Sequence, residues 1–306
     1  MTFWALGNMP GRTIDETSCA VMVQVQLKGM LPPEFSGARA PLWRFDEPSA
    51  PEYQWPSPAV EVHDARQLQS SAKSDAAFFA EHGFVLLRHE TAVTDWNGDI
   101  SAVYHAEISD IIRERLLPGH RVGIRQGPNV LRRGQSARFY AQGVHSDCPL
   151  TPKSYASNLR AIGSEEAGRA WHQRFASDEV TGFMLMNFWR TTNMKGPLRH
   201  MPLALCDPSS VNRSDLIPNT FAHIAPGGRP TEHLALRFNP SQRWYYYPQM
   251  TTGEVLAFKL CEYSKGAPDA APTIVFHTAF EDPDAPDDCE LRQSCEHRAA
   301  VMVLRD

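Results

Sequence analysis

Two histidine–carboxylate tripeptides are the first places where this chain could bind a metal ion: His105-Ala106-Glu107 and His145-Ser146-Asp147. With 12 His and 35 Asp+Glu in 306 residues, chance alone supplies about 1.4 of them (12 × 35/306). The tripeptide by itself is therefore uninformative, and its setting decides. His105 and Glu107 fall inside a helical pattern, where residues two apart point roughly 200° apart around the axis and cannot easily meet one ion. His145 and Asp147 stand in an extended setting, between Gly143-Val144 and Cys148-Pro149. Residues two apart in an extended chain face the same side.

A set of two histidines and one carboxylate leaves three positions open on iron(II), and it needs one more histidine. His277, in the β-like run Ile274–Phe280, is the best candidate. Further on, Arg292-Gln293-Ser294-Cys295-Glu296-His297-Arg298 leads into the apolar strand Ala299–Leu304. Arg292, Ser294, Glu296 and Arg298 share one strand face. An arginine there can hold the far carboxylate of a dicarboxylate through two parallel hydrogen bonds. Each residue also has a plainer role open to it. His277 can be a core histidine, Arg298 an ion-pair partner of Glu296 or Glu254, Tyr245-Tyr246-Tyr247 a stretch of barrel wall, and His297 a structural residue on the opposite strand face.

The elements that must position these residues change character along the chain. Residues 31–60 are rich in Pro and Ser and read as a surface wrap. Val60–His63 reads as a short strand, Ser74–His82 as a helix closed by Gly83, Phe84–Leu87 as a buried strand, and Ile100–Leu117 as the clearest helix. Beyond residue 120 the chain is mainly β, with strand character at Gly182–Trp189, Leu203–Leu205, Trp244–Tyr247, Glu254–Leu260, Thr273–Phe280 and Ser294–Leu304. One helical insertion, Ser154–Ala176, interrupts them. The expected fold is mainly β with helices (α+β): a double-stranded β-helix, or jelly roll, with an N-terminal helical layer. Residues 1–30 read as a loose extension, with Met22-Val23-Gln24-Val25 a more natural start, and 31–306 as a single domain.

Composition removes several classes. The net charge is −5 and no Lys/Arg run exceeds two, which argues against nucleic acid or a polybasic membrane contact. No apolar stretch approaches the roughly 18 residues of a membrane span. Hydrophobic residues make up 42%, enough for a core, and 24 prolines favour a loop-rich fold over a helical bundle. None of the six cysteines forms C-x-x-C, and the start shows no charged segment leading into an apolar one. The expectation is a reduced, cytoplasmic protein. Phosphate-cradling glycine motifs, G-x-S-x-G and H-E-x-x-H are absent.

Several longer segments carry a resemblance. They include Val62-His63-Asp64-Ala65-Arg66, Asn187-Phe188-Trp189-Arg190, Pro202-Leu203-Ala204-Leu205-Cys206-Asp207, Trp244-Tyr245-Tyr246-Tyr247-Pro248-Gln249-Met250, His277-Thr278-Ala279-Phe280 and Arg292–Arg298. Over roughly residues 30–306 the chain resembles the hydroxylase/desaturase family that includes gibberellin desaturase-like proteins, fungal hydroxylase/desaturases and the accessory chain of cephem methoxylation. Lys259-Leu260-Cys261-Glu262-Tyr263-Ser264 departs from it, because relatives tend to carry an aspartate before that serine.

The resemblance implies a non-haem dioxygenase that uses Fe(II), 2-oxoglutarate and O₂ to hydroxylate, desaturate or cyclise a small, secondary-metabolite substrate. It implies His145, Asp147 and His277 as metal ligands. Arg298, with Ser294 beside it, is slightly preferred as the 2-oxoglutarate clamp over Arg292, which fits the common R-x-S arrangement. Arg190, Trp189, Trp244 and Tyr246 are the candidate substrate contacts. A homodimer or a partner biosynthetic enzyme is left open. The rival readings are a non-catalytic accessory subunit and a metal-binding jelly-roll binding protein.

Overall fold

The computed structural model describes residues 22–44, 56–134, 143–266 and 271–305. The strands are β1 (Met22–Lys28), β2 (Trp43–Arg44), β3 (Pro56–Asp64), β4 (Phe84–Arg88), β5 (Val122–Arg133), β6 (Val180–Thr191), β7 (Leu203–Cys206), β8 (Leu216–Ala222), β9 (Thr231–Leu236), β10 (Trp244–Tyr246), β11 (Glu254–Ser264), β12 (His277–Ala279) and β13 (Ser294–Leu304). The helices are α1 (Ala65–Ser70), α2 (Asp75–His82), α3 (Ser101–Asp110), α4 (Pro152–Ile162) and α5 (Glu165–Ala176), with short 3₁₀ turns between later strands. Two five-stranded sheets, ordered β1-β3-β10-β7-β12 and β4-β11-β6-β13-β5, share one hydrophobic cluster, and a three-stranded sheet β2-β8-β9 stands beside them. This is the mainly β, jelly-roll type of architecture the strand pattern predicts. Among the described residues no helix is long and apolar enough to cross a membrane.

Local chemistry explains the boundaries. Ser74 caps α2 by accepting from the Ala77 backbone N–H, and Gly83 ends it at φ +73°, a conformation that favours glycine. The chain then enters β4, whose Phe84, Val85, Leu86 and Leu87 are all buried. The expected Ile100–Leu117 helix is α3, continued by one π-helical segment, Ile111–Leu116. The expected single insertion Ser154–Ala176 is two helices. Thr151 caps α4, and Ser164, followed by two glutamates, opens α5.

Two expectations are corrected, and one strand falls outside them. The loose extension 1–30 does not hold for its last third, because Met22–Lys28 pairs with β3 and buries Val23 and Leu27; residues 1–21 lie outside the described residues. Thr273–Phe280 is not one strand. Thr273 bridges Glu262 and the Val275 N–H donates to Lys259 C=O, both on β11, before His277–Ala279 pairs with β7 in the other sheet. The segment thus crosses between sheets. Finally, β5 escaped notice because Gly123, Gly127 and Pro128 break its alternation. In the segment that departs from the family pattern, Lys259 is buried, bonded to Glu262 at 2.8 Å and lies over the Phe79 ring.

The β5–β13 register shifts between His297 and Ala299, and Gly127 lies at that irregularity. A Cβ on Gly127 would sit 2.7 Å from the Arg298 carbonyl oxygen, so the close approach of the two strands depends on glycine. Gly127→Ala is expected to lower stability by about 1–3 kcal/mol in chemical denaturation. An unchanged midpoint would show that the strands do not need that contact.

Candidate metal centre

His145 and His277 face each other as a mutually bonded antiparallel pair, each N–H donating to the other's C=O at 3.2 Å. Their ring centroids are 4.4 Å apart. With Asp147 they form a group whose candidate ligand atoms all lie within 4.8 Å of one another. The Nδ1 of His145 lies 2.7 Å from Gly143 C=O, and that of His277 3.1 Å from Val275 C=O. A carbonyl only accepts, so each ring carries its hydrogen on Nδ1 and leaves Nε2 a bare lone pair. Two free Nε2 atoms and a carboxylate are a donor set suited to a divalent transition metal.

Asp147 accepts from Arg298 Nη2 at 2.9 Å and lies 3.8 Å from His277 Nε2. Burial works against its ionised form, but the positive charge of the Arg298 guanidinium beside it outweighs that and holds the carboxyl well below its usual range. Burial, reinforced by His145, pushes His277 down to about 3.

The strand register explains which other residues share this space. Arg298 pairs with Asn187, which pairs with Phe258, and the Phe258 ring lies 4.8 Å from that of His277. Glu296 likewise pairs with Trp189, and Ser294 with Thr191. One face of β6 and β13 therefore turns Asn187, Trp189, Thr191, Ser294, Glu296 and Arg298 toward the metal group. Thr191, Ser294 and Asn187 are all buried, and the Thr191 and Ser294 hydroxyls have no hydrogen-bond partner among the described residues. Arg292, just before β13, sets its guanidinium 5.6 Å from the Trp189 ring centre and donates to Met201 C=O at 2.5 Å. Of the ion-pair partners expected for Arg298, Glu296 lies within 3.9 Å, while Glu254 is held in a two-pronged pair by Arg66.

Three of the four expected substrate contacts are misplaced. Arg190 falls on the opposite face of β6, fully buried over the Trp96 ring, with hydrogen bonds to His89 C=O and Thr252 C=O. The two-residue period turns it away. The same period removes Trp244 and Tyr246. Their neighbour Tyr245 pairs with Leu205, which pairs with His277, so the two flanking residues project from the other face. His105 and Glu107 do not approach an ion site together: His105 stacks on His297 at 4.7 Å, and Glu107 accepts from Thr91 and the Ala92 N–H. Residues that sequence reasoning missed are Asn187, Thr191, Trp43, whose ring centroid lies 6.5 Å from that of His145, and His233, whose Nδ1 reaches Ser146 C=O. Nothing in their spacing relates them to His145; only the fold does.

A model of the oxidoreductase/YMDC permease-like domain family matches residues 38–302. An alpha-ketoglutarate-dependent dioxygenase, phiK, of a fungal species is 27% identical over 257 residues, covering 80% of this chain and 83% of the relative. The hydroxylase/desaturase efuI of Hormonema carpetanum is 27% identical over 161 residues, half of each chain. The hydroxylase/desaturase asaB of Aspergillus flavus is 30% identical over 132 residues, 40% of this chain and 56% of the relative. In fold, the chain is similar to NvfI, an iron and alpha-ketoglutarate-dependent endoperoxidase, with a TM-score of 0.66 at 19% identity over 94% of this chain and 100% of that one.

Burial also pushes His233 down to about 4. His233 and His277 are thus neutral in the folded, metal-free protein at a pH where the unfolded chain, with the ordinary value of 6.5, takes up protons. Where the unfolded state holds more protons, stability rises with pH. The urea midpoint of metal-free protein is therefore expected to climb between about pH 4.5 and about pH 6.5 and then level off. A flat profile across that window would contradict two neutral buried rings.

Proposed function

The chain belongs to the oxidoreductase/YMDC permease-like domain family, and on that premise we propose that it is a non-haem Fe(II)- and 2-oxoglutarate-dependent dioxygenase oxidising a C–H bond of a small molecule. The observation that carries this is the convergence of His145, Asp147 and His277 with both Nδ1 atoms already committed to carbonyls. The fit to the co-substrate rests on the buried hydroxyls of Ser294 and Thr191, which have no partner among the described residues, on the face that also bears Arg298.

In this proposal His145 and His277 would hold the ion through Nε2 and Asp147 through its carboxylate. When bound, Fe(II) with 2-oxoglutarate and O₂ supplies the oxidising power to break an unactivated C–H bond, with succinate as co-product. The protein binds, orients and excludes water. Arg298 orients Asp147 and offsets its charge. Arg298 is engaged with the ligand Asp147 itself, so Arg292, which stands in the R-x-S arrangement with Ser294 and whose guanidinium meets a backbone carbonyl and the Trp189 ring, is the proposed co-substrate clamp, with Arg298 the alternative. Trp189 and Trp43 wall the substrate space. Hydroxylation, desaturation and oxidative cyclisation all begin with the same hydrogen abstraction, and substrate placement chooses among them. The finer architecture belongs to the same proposal: β1 onward as one domain, α1–α3 as a layer on the large sheet, α4–α5 as the insertion, and a cytoplasmic location. All the donor groups come from one chain, so neither a homodimer nor a partner enzyme is needed to complete the site.

Anaerobic addition of Fe(II) and 2-oxoglutarate is expected to produce a weak visible charge-transfer band that His277→Ala abolishes. If no band forms and the purified protein holds zinc or no metal, the dioxygenase reading gives way to an accessory subunit or a metal-binding jelly roll. Arg292→Leu is expected to raise the 2-oxoglutarate requirement roughly 30-fold or more with metal affinity unchanged. If Arg298→Leu alone does so, the clamp is misassigned.

A further inference from the structure

The residue between the two ligands, Ser146, is held by hydrogen bonds at both its hydroxyl and its carbonyl. Ser146 is completely buried. Its hydroxyl accepts from the Leu234 N–H at 3.0 Å and donates to Cys148 C=O at 2.8 Å. Its carbonyl lies 3.1 Å from His233 Nδ1, which must donate because a carbonyl only accepts. The other ring nitrogen, Nε2, then accepts from the Thr231 hydroxyl at 2.9 Å. Leu234, His233 and Thr231 all belong to β9.

The ring of His233 is held from its face as well. Phe221 of β8 stacks on it at 4.0 Å and 13°, and Trp43 of β2 packs on Phe221 at 4.7 Å. The three-stranded sheet thus grips the segment between the ligands by its backbone and reaches His145 through Trp43. The need for this is physical. The segment belongs to no named strand: Gly143 bridges Lys28 of β1 just before it and His145 bridges His277, but no such bridge holds Ser146 or Asp147 extended. If it does not stay extended, the His145 and Asp147 side chains no longer face one side.

The geometry points to β9 as the positioning device of the metal centre, with Ser146 and His233 as positioning residues that hold His145 and Asp147 on one side of the chain. The inference rests on the metal-site assignment made above. Neither residue touches the ion. Each acts through the backbone between its ligands, as outer partners of metal ligands do when they restrict the ligands' freedom.

The test is Co(II) binding to the metal-free protein, followed by calorimetry and by the visible spectrum of the bound ion. His233→Leu and Ser146→Ala are expected to weaken Co(II) binding about 10–100-fold and to alter the spectrum. His233→Asn, whose amide can still donate to Ser146 C=O, is expected to recover most of the affinity. Thr231→Val serves as a milder variant, since it removes only the Nε2 partner; it is expected to weaken binding less while leaving the metal-free thermal midpoint within about 2 °C. Wild-type affinity and spectrum in Ser146→Ala and Thr231→Val would overturn the inference. So would equal loss in His233→Asn and His233→Leu. If the wild-type protein itself binds no Co(II), the metal-site reading fails instead, and the two failures are distinguishable.

Discussion

The site depends on one short antiparallel contact: the reciprocal backbone hydrogen bonds between His145 and His277. They join a segment that belongs to no long strand to a strand of only three residues, β12, which is bonded on its other side to β7. Those two bonds bring residues far apart in the chain to a ring separation of 4.4 Å. The crossing of 273–279 from β11 to β7 is what delivers His277 to that meeting point. Without the crossing, His277 would remain at the edge of the large sheet.

The second feature is a polar face where a jelly roll would ordinarily be apolar. Asn187, Thr191, Ser294, Glu296 and Arg298 line the inward side of β6 and β13, while the outward side carries Met186, Phe188, Cys295 and Ala299. A buried polar atom left without a partner costs about 1–3 kcal/mol, so the Thr191 and Ser294 hydroxyls weigh against folding unless something bonds them. Apolar burial elsewhere offsets this, since one hydrophobic cluster runs through both large sheets and the helices. Sites for polar ligands commonly lower stability in this way, because the groups that recognise the ligand are buried before it arrives.

Much of this was legible from short-range pattern. The alternation of Ser294–Leu304 marked β13, the Ser74 and Gly83 caps marked α2, and the extended setting of His145-Ser146-Asp147 distinguished it from His105-Ala106-Glu107. All three signals arise from residues within a few positions of one another. Where glycine or proline broke the alternation, as in β5, the signal failed, although the pairing with β13 was strong enough to keep the strand. The β2-β8-β9 sheet went unread for a related reason: two of its strands are short or carry a proline, Pro218, at a position where pattern alone suggests a loop.

The sequence by itself determined the donor types, their order along the chain and the strand faces of residues within one element, because side-chain direction in a strand follows from a two-residue period. It could not determine which faces meet. Arg190 and Trp189 are neighbours with similar prospects on paper, and only the pairing of β6 with β13 turns Trp189 toward the metal group and Arg190 away from it. The same holds for Arg298, whose attachment to Asp147, and for His233, whose hold on Ser146, depend on contacts between residues 151 and 87 positions apart. Such contacts are decided by how whole sheets pack, a property of the assembled core that no local stretch of sequence contains.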